Sequence, residues 1–457
     1  MNLLKRCLLA ALLPTLCLDL AVAAPTAEEA AQLGKTLTPL GAIKAGNAAG
    51  TIPAWDGGLC KPVAGYKPKD PAGGWPYIDP WAAEKPRLVI NAANMAQYAD
   101  QLTEGTKVML QRYPDTYRLD VYPTHRSACF PDYVYKNTIE RVMSPKLSGT
   151  APGVVGAHAQ IPFPVPHDGF EAMWNSLLRY VPPYETFDFT QYVIDSAGNR
   201  SVSNGSTTQE ERQYWDNSLP ESTDTTYWKT IATQSEPPSQ AGTKNMRWQF
   251  VRMDLKDPQN WSYVPGQRRV RLAPEFTYDT VSTTSGVLFF DEINGFDGKM
   301  DKYDFKLLGR KEVFVPYNSY RRFLTPQDKA HGVHHILPEA QRWELHRVWV
   351  VEGTLKPGER HAQLKKKFYL DEDSWAILAY VGFDHQDKPN RYYEGPTFPA
   401  YDASTLRTNG IYDLYDLSTG KFTTQAVPGG RGIGHLVHAP WPANTYSPTG
   451  LAGRGVR

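Results

Sequence analysis

The chain is predicted to be mainly β with a few helices, an α+β protein built on an antiparallel sheet, and three observations predict it. After residue 185 the hydrophobic pattern runs at period two, most clearly where Trp343, Leu345, Trp349 and Val351 alternate with Arg342, Glu344 and His346. The apparent strands follow one another at hairpin spacings instead of alternating with long helical stretches, which favours antiparallel pairing over a parallel α/β arrangement. Residues Trp261 to Pro274 read as a hairpin, with aromatics before a Pro265-Gly266 corner and a basic strand after it. That corner suits a type II turn with Gly266 at positive φ.

In chain order, Lys5 and Arg6 precede an apolar run from Cys7 to Leu20 and the small-x-small triplet Ala21-Val22-Ala23. This is the pattern of a signal peptide spanning residues 1–23, cleaved after Ala23, and it predicts export to the periplasm. Pro14 and Asp19 interrupt the run, which is too short to span a bilayer. Residues 24–90, dense in Gly and Pro up to Asp79, predict an extension that wraps a core, with Ala27 to Lys35 as a short helix. Residues 91–457 then form the folded domain, including a C-terminal extension. Ala92 to Met109 has helical composition with Met95, Tyr98, Leu102 and Met109 near one face, and Asn91 can cap it. Pro162, Pro164 and Pro166 break regular structure before Asp168, which can cap a helix from Gly169 to Tyr180. Arg247 to Leu255, Trp343 to Thr354 and Gln363 to Tyr380 read as strands, the last folding around an acidic turn. Each strand should carry one dry and one wet face.

The 49 Lys and Arg against 48 Asp and Glu leave the chain near neutrality. Nucleic acid binding, which needs a concentrated basic surface, is not expected. Of the four cysteines, Cys7 and Cys17 fall in the leader, so Cys60 and Cys129 are two thiols in an oxidising compartment. A disulfide is the first expectation, with a free buried pair as the alternative; the clustered zinc pattern is absent.

No nucleophile elbow, His-Glu-x-x-His, phosphate loop or dinucleotide fingerprint occurs, so neither an enzyme nor a cofactor is expected. His331, His334, His335 and His346 lack a carboxylate or thiol at ligand spacing, and a polar loop is favoured over a metal site. Asp291 to Asp304 does not follow the EF-hand order and reads as a long hairpin loop. Arg268, Arg269 and Arg271 could grip an anionic headgroup, although alternation also fits a solvated strand face paired with Glu275. The 12 Trp, 26 Tyr and 17 Phe supply inward-facing aromatics for either a core or an apolar pocket. Trp248, Phe250, Tyr263, Trp343, Leu345, Trp349 and Phe368 are the candidate lining residues.

The hairpin stretch Trp261 to Pro274 resembles a periplasmic family known as domain of unknown function 1329. Three further stretches, Leu37 to Trp55, Phe314 to Tyr320 and Phe368 to Trp375, resemble it too. That resemblance implies a fold similar to the lipoprotein carriers LolA and LolB: a strongly curved, unclosed half-barrel with helices on its concave side. It further implies a cavity near the two predicted helices that holds an apolar ligand, a lipid or a lipoprotein's acyl chain. A resistance-nodulation-division transporter and an outer-membrane protein are the implied partners. The alternative expectation is an interaction or scaffold protein of an envelope complex, its half-barrel filled by its own side chains.

Overall fold

The computed structural model describes residues 25–67, 77–149, 152–221, 226–282, 285–408, 410–426 and 436–453; the expected leader, 1–23, lies outside them. We number the strands of the main sheet along the chain: β1 Leu88–Ile90, β2 Leu119–Val121, β3 Tyr184–Ile194, β4 Arg200–Glu211, β5 Thr226–Glu236, β6 Lys244–Phe250, β7 Gln259–Val264 and β8 Arg269–Leu272. These are followed by β9 Tyr303–Pro316, β10 Trp343–Leu355, β11 Lys365–Asp371, β12 Ile377–Phe383, β13 Pro389–Glu394, β14 Tyr412–Asp416, β15 Phe422–Ala426 and β16 Leu436–Val437.

The spatial order is β1-β2-β10-β11-β12-β13-β14-β15-β3-β4-β5-β6-β7-β8, with β9 also on β10 and β16 also on β3. All pairs are antiparallel except the single parallel contact Trp343 to Val121. The sheet is curved and does not close, since among the described residues β1 and β8 each pair on one side only. β9 and β10 form the longest ladder, broken once between Leu307 and Gly309, where Gly309 takes φ 95° and lets an extra residue bulge out.

The Pro-Gly corner forms a hairpin by a different turn. Gln267 and Arg268 donate their N–H groups to the Val264 carbonyl, and it is Arg268, at φ 50°, that adopts the left-handed region; Gly266 does not. A four-residue loop closes with its last residue left-handed, so the expected type II turn is corrected.

The helices also depart from their predicted bounds. The stretch after Asn91 splits into a 3-10 turn, Met95–Gln101, and helix α1, Glu104–Arg112, because the Thr103 side chain accepts from the Thr106 N–H and starts a new helix there. Helix α2 is Asp132–Glu140. Helix α3, Gly169–Leu177, starts as predicted, with Asp168 accepting from the Glu171 N–H. It packs on β9 and β10 with Phe170 edge-on to Phe305, whereas Gly105 of α1 lies against the ring of Tyr392.

A larger correction concerns β10. One wet face was expected, yet residues Trp343 to Val351 are buried throughout. The polar face is covered by residues 37–55, which bury Leu40 and Ile52 in the main core, and by residues 122–127. Gly41, at φ 93°, passes so close to Pro164 that a Cβ would collide with its carbonyl oxygen. Cys60 and Cys129 are joined in a disulfide that ties the end of this segment to the body.

Candidate functional site: a groove on the open half of the sheet

A groove of about 650 Å3 lies over β3 to β8. Strand alternation builds it: Phe187, Phe189 and Gln191 of β3, Thr208 and Glu210 of β4, and Trp228, Thr230 and Ala232 of β5 point to this face. Asn245 and Arg247 of β6, Ser262 of β7 and Arg271 of β8 continue the same row. Leu288, Phe290 and Ile293, on the connection before β9, cover one side, with Phe290 stacked on Phe276 at 4.9 Å.

The wall is therefore mixed, with aromatic rings beside short polar side chains that do not fill the space between them. Arg247 is held by Asp297 at 2.6 Å and by Asn260, and its guanidinium lies 5.5 Å from the Trp228 ring. Burial pushes the Glu210 carboxyl up to about 7 against the opposing pull of Arg212, 3.0 Å away. Arg271 stands half-exposed at the groove edge, 3.9 Å from Glu275.

The candidate lining residues do not converge on this groove. Trp343, Leu345, Trp349 and Phe368 lie in the main core, where Trp349 stacks on Trp375 at 6.0 Å and carries the Arg310 guanidinium 3.8 Å above its ring. Phe250 is buried at the end of β6. Trp248 and Tyr263 pack in a small cluster with Tyr446 and Leu451. Among the three arginines, Arg271 reaches the groove, Arg269 is exposed and Arg268 sits in the turn. The lining residues missed in the sequence, Phe187, Phe189 and Trp228, were open to the same alternation argument. Thr208, Glu210, Thr230, Asn245 and Ser262, which share this face, are polar and read as a wet surface.

The other sequence candidates are accounted for by internal pairing. His335 is buried, bonded to Thr116 and to the Ile336 carbonyl, and His334 stacks on Tyr113 at 4.8 Å, so the loop read as polar is packed. Burial lowers the His331 imidazole to about 3. In the acidic stretch, Asp291 pairs with Lys366 and His361, and Asp297 with Arg247.

A second place gathers three of the four stretches that carry the family resemblance, together with β10. Glu344 is fully buried and accepts from Arg342 Nε at 2.6 Å, Asn318 Nδ2 at 3.0 Å and the His125 N–H at 2.9 Å, with His346 Nε2 at 3.0 Å. Burial pushes this carboxyl up, but His346 and Arg342 outweigh it and hold it below the usual range. Asp371 accepts from Tyr317 at 3.0 Å and Ser374 at 2.5 Å, and burial with the neighbouring Asp373 charge lifts it to about 6. Arg126 grips Asp373 at 2.9 and 2.6 Å. Glu372, raised to about 7 by burial and by Asp373, faces Arg126 and Arg347. Side chains of this cluster hold residues 40–53 by the backbone: Trp375 donates to the Leu40 carbonyl, Arg347 to those of Ile43 and Ala45, and Arg126 to those of Lys44 and Pro53.

The fold and groove define a class: a single large, open, curved sheet with a lateral cleft and a strapped N-terminal segment. Within that class the chain belongs to the DUF1329 family, described as protein of unknown function, whose family model matches residues 89–452. The uncharacterized protein PA3922 of Pseudomonas aeruginosa is 35% identical over 444 residues, covering 95% of each chain. Two solved structures are similar at lower identity. One, described as an outer membrane lipoprotein-sorting protein domain from Vibrio parahaemolyticus, has 12% identity and a TM-score of 0.43 over 62% of this chain and 98% of its own. The other, the LolA superfamily protein NE2245 from Nitrosomonas europaea, has 8% identity and a TM-score of 0.34 over 61% and 97%.

Proposed function

We propose that this protein is a non-enzymatic periplasmic carrier or chaperone that shields an apolar ligand, a lipid or a lipoprotein's acyl chain, in the groove over β3 to β8. The observation that carries this reading is the groove itself, whose volume of about 650 Å3 lies in the ordinary range of small-molecule sites. Phe187, Phe189, Leu288, Phe290 and Ile293 supply its apolar surface, and each methylene buried there contributes about 0.8 kcal/mol. Arg271, at the groove edge, would pair with an anionic headgroup. The leader sequence and the Cys60–Cys129 pair fit an exported, oxidised protein. Among the described residues no helix is long and apolar enough to cross a membrane. The family resemblance of the sequence adds a role beside a resistance-nodulation-division transporter and an outer-membrane protein.

Ala232→Trp tests the reading, because the indole fills the groove without burying a charge. Wild-type protein should bind a fluorescent fatty acid and release lipid on organic extraction, and the variant should lose binding while its circular dichroism stays unchanged. If wild-type protein neither binds the probe nor carries lipid, the carrier reading fails and a scaffold role in an envelope complex replaces it.

A further inference from the structure

We propose that His346, Asp371 and Asp373 form a binding site for one divalent transition-metal ion of the Zn2+ or Mn2+ type, independent of the carrier reading. One donor atom from each of the three residues lies within 4.8 Å of the others, and all three residues are buried. At that spacing, small side-chain rotations bring three donors to the bond lengths of about 2.1 Å that imidazole and carboxylate ligands use.

Two details separate this group from an ordinary acidic cluster. Asp371 is fully buried, and while one carboxylate oxygen is held by Tyr317 and Ser374, its Oδ1 has no hydrogen-bond partner among the described residues. An orphaned buried oxygen is costly, and a cation would satisfy it. The second detail is His346, whose Nε2 faces the Glu344 carboxylate at 3.0 Å and whose ring is stacked on Tyr317 at 3.8 Å. A ring nitrogen fixed against a carboxylate orients the imidazole and raises its basicity, which is how metal-ligating histidines are commonly supported.

One imidazole nitrogen with two carboxylate oxygens selects a borderline or hard cation over a soft one. Arg126 keeps both oxygens of Asp373 in place and also borders a cleft of about 510 Å3 beside His125 and Ser127, through which an ion can approach. The bound ion would join β10 to the acidic turn after β11 and, through Arg126, to the N-terminal segment.

The test uses full-length mature protein stripped with a chelator and titrated with Zn2+. The wild-type chain should retain a single equivalent after gel filtration and melt at a higher temperature with zinc than without. Asp371→Asn, which keeps the side chain's shape, should weaken retention at least about tenfold. His334→Gln, on the packed loop near Tyr113, should leave it unchanged. Sub-stoichiometric retention by wild type, equal retention by Asp371→Asn, or loss in His334→Gln would overturn the proposal. Should Asp371→Asn not fold, Co2+ added to wild type decides: a visible spectrum of a four- or five-coordinate nitrogen–oxygen site supports the proposal, and that of the hydrated ion refutes it.

Discussion

Replacing Arg126 by Met removes one cation from the centre of the charge cluster while keeping most of the side chain's volume. Arg126 makes two bonds to Asp373, one to Glu372 and two to the carbonyls of Lys44 and Pro53, with a side chain only 2% exposed. Glu372 keeps Arg347 at 3.2 Å, but Asp373 pairs with no other cation among the described residues. Breaking a buried pair from one side leaves an uncompensated charge, which costs about 3–5 kcal/mol. The loss should therefore appear as a lower urea midpoint, followed by tryptophan fluorescence at pH 7. Because the same guanidinium holds residues 44 and 53, limited proteolysis should cut the segment between residues 37 and 58 sooner than in wild type. A loss below about 1 kcal/mol, the size expected for a surface pair, would refute the reasoning.

Three further outcomes are expected. Glu394 is fully buried and raised from 4.5 to about 8 by burial and by Asp413, so the native state holds a proton that the unfolded chain releases above 4.5. Wild-type stability should consequently fall as pH rises from about 5 to 8, and Glu394→Gln should gain on wild type across that window by about 1.4 kcal/mol per pH unit, measured by urea denaturation at several pH values. The Cys60–Cys129 bond closes a separation of 69 residues, for which loop entropy gives about 4 kcal/mol; Cys60→Ser should lower the denaturation midpoint accordingly, and reductant should then have no further effect. In the hairpin, Arg268→Gly should stabilise by about 0.5–1 kcal/mol, because a left-handed φ costs a side chain more than glycine. Gly266→Ala, whose Cβ would meet nothing within 4 Å, should leave the melting temperature unchanged.

Much of the sheet was legible in the sequence because strand alternation is local. Trp343, Leu345, Trp349 and Val351 do share a face, and Asp168 does start a helix. What alternation cannot show is what lies against the second face. Glu344 and His346 were read as solvated because the residues that bury them, His125 and Asn318, are far away in sequence. Similar blindness hid the groove. Ser262 and Asn245 give the pattern of an outer surface, and only the curvature of the assembled sheet turns that surface inward. The Pro265-Gly266 pair located its hairpin correctly but not the turn type, since loop length, and not the glycine, set which residue became left-handed.

The strap formed by residues 40–53 has a consequence for the order of assembly. Its backbone carbonyls and N–H groups are read by Arg347, Glu372 and Trp375, residues 302 to 335 positions later in the chain. Arg126 apart, the side chains that hold this segment are not synthesised until more than about two-thirds of the polypeptide exists. Contacts of such long sequence separation form slowly, because a large loop must close before any of them is rewarded. The early segment must remain extended and uncommitted meanwhile, and Gly41, Gly46, Gly50 and Pro53 keep it from forming a helix or strand of its own.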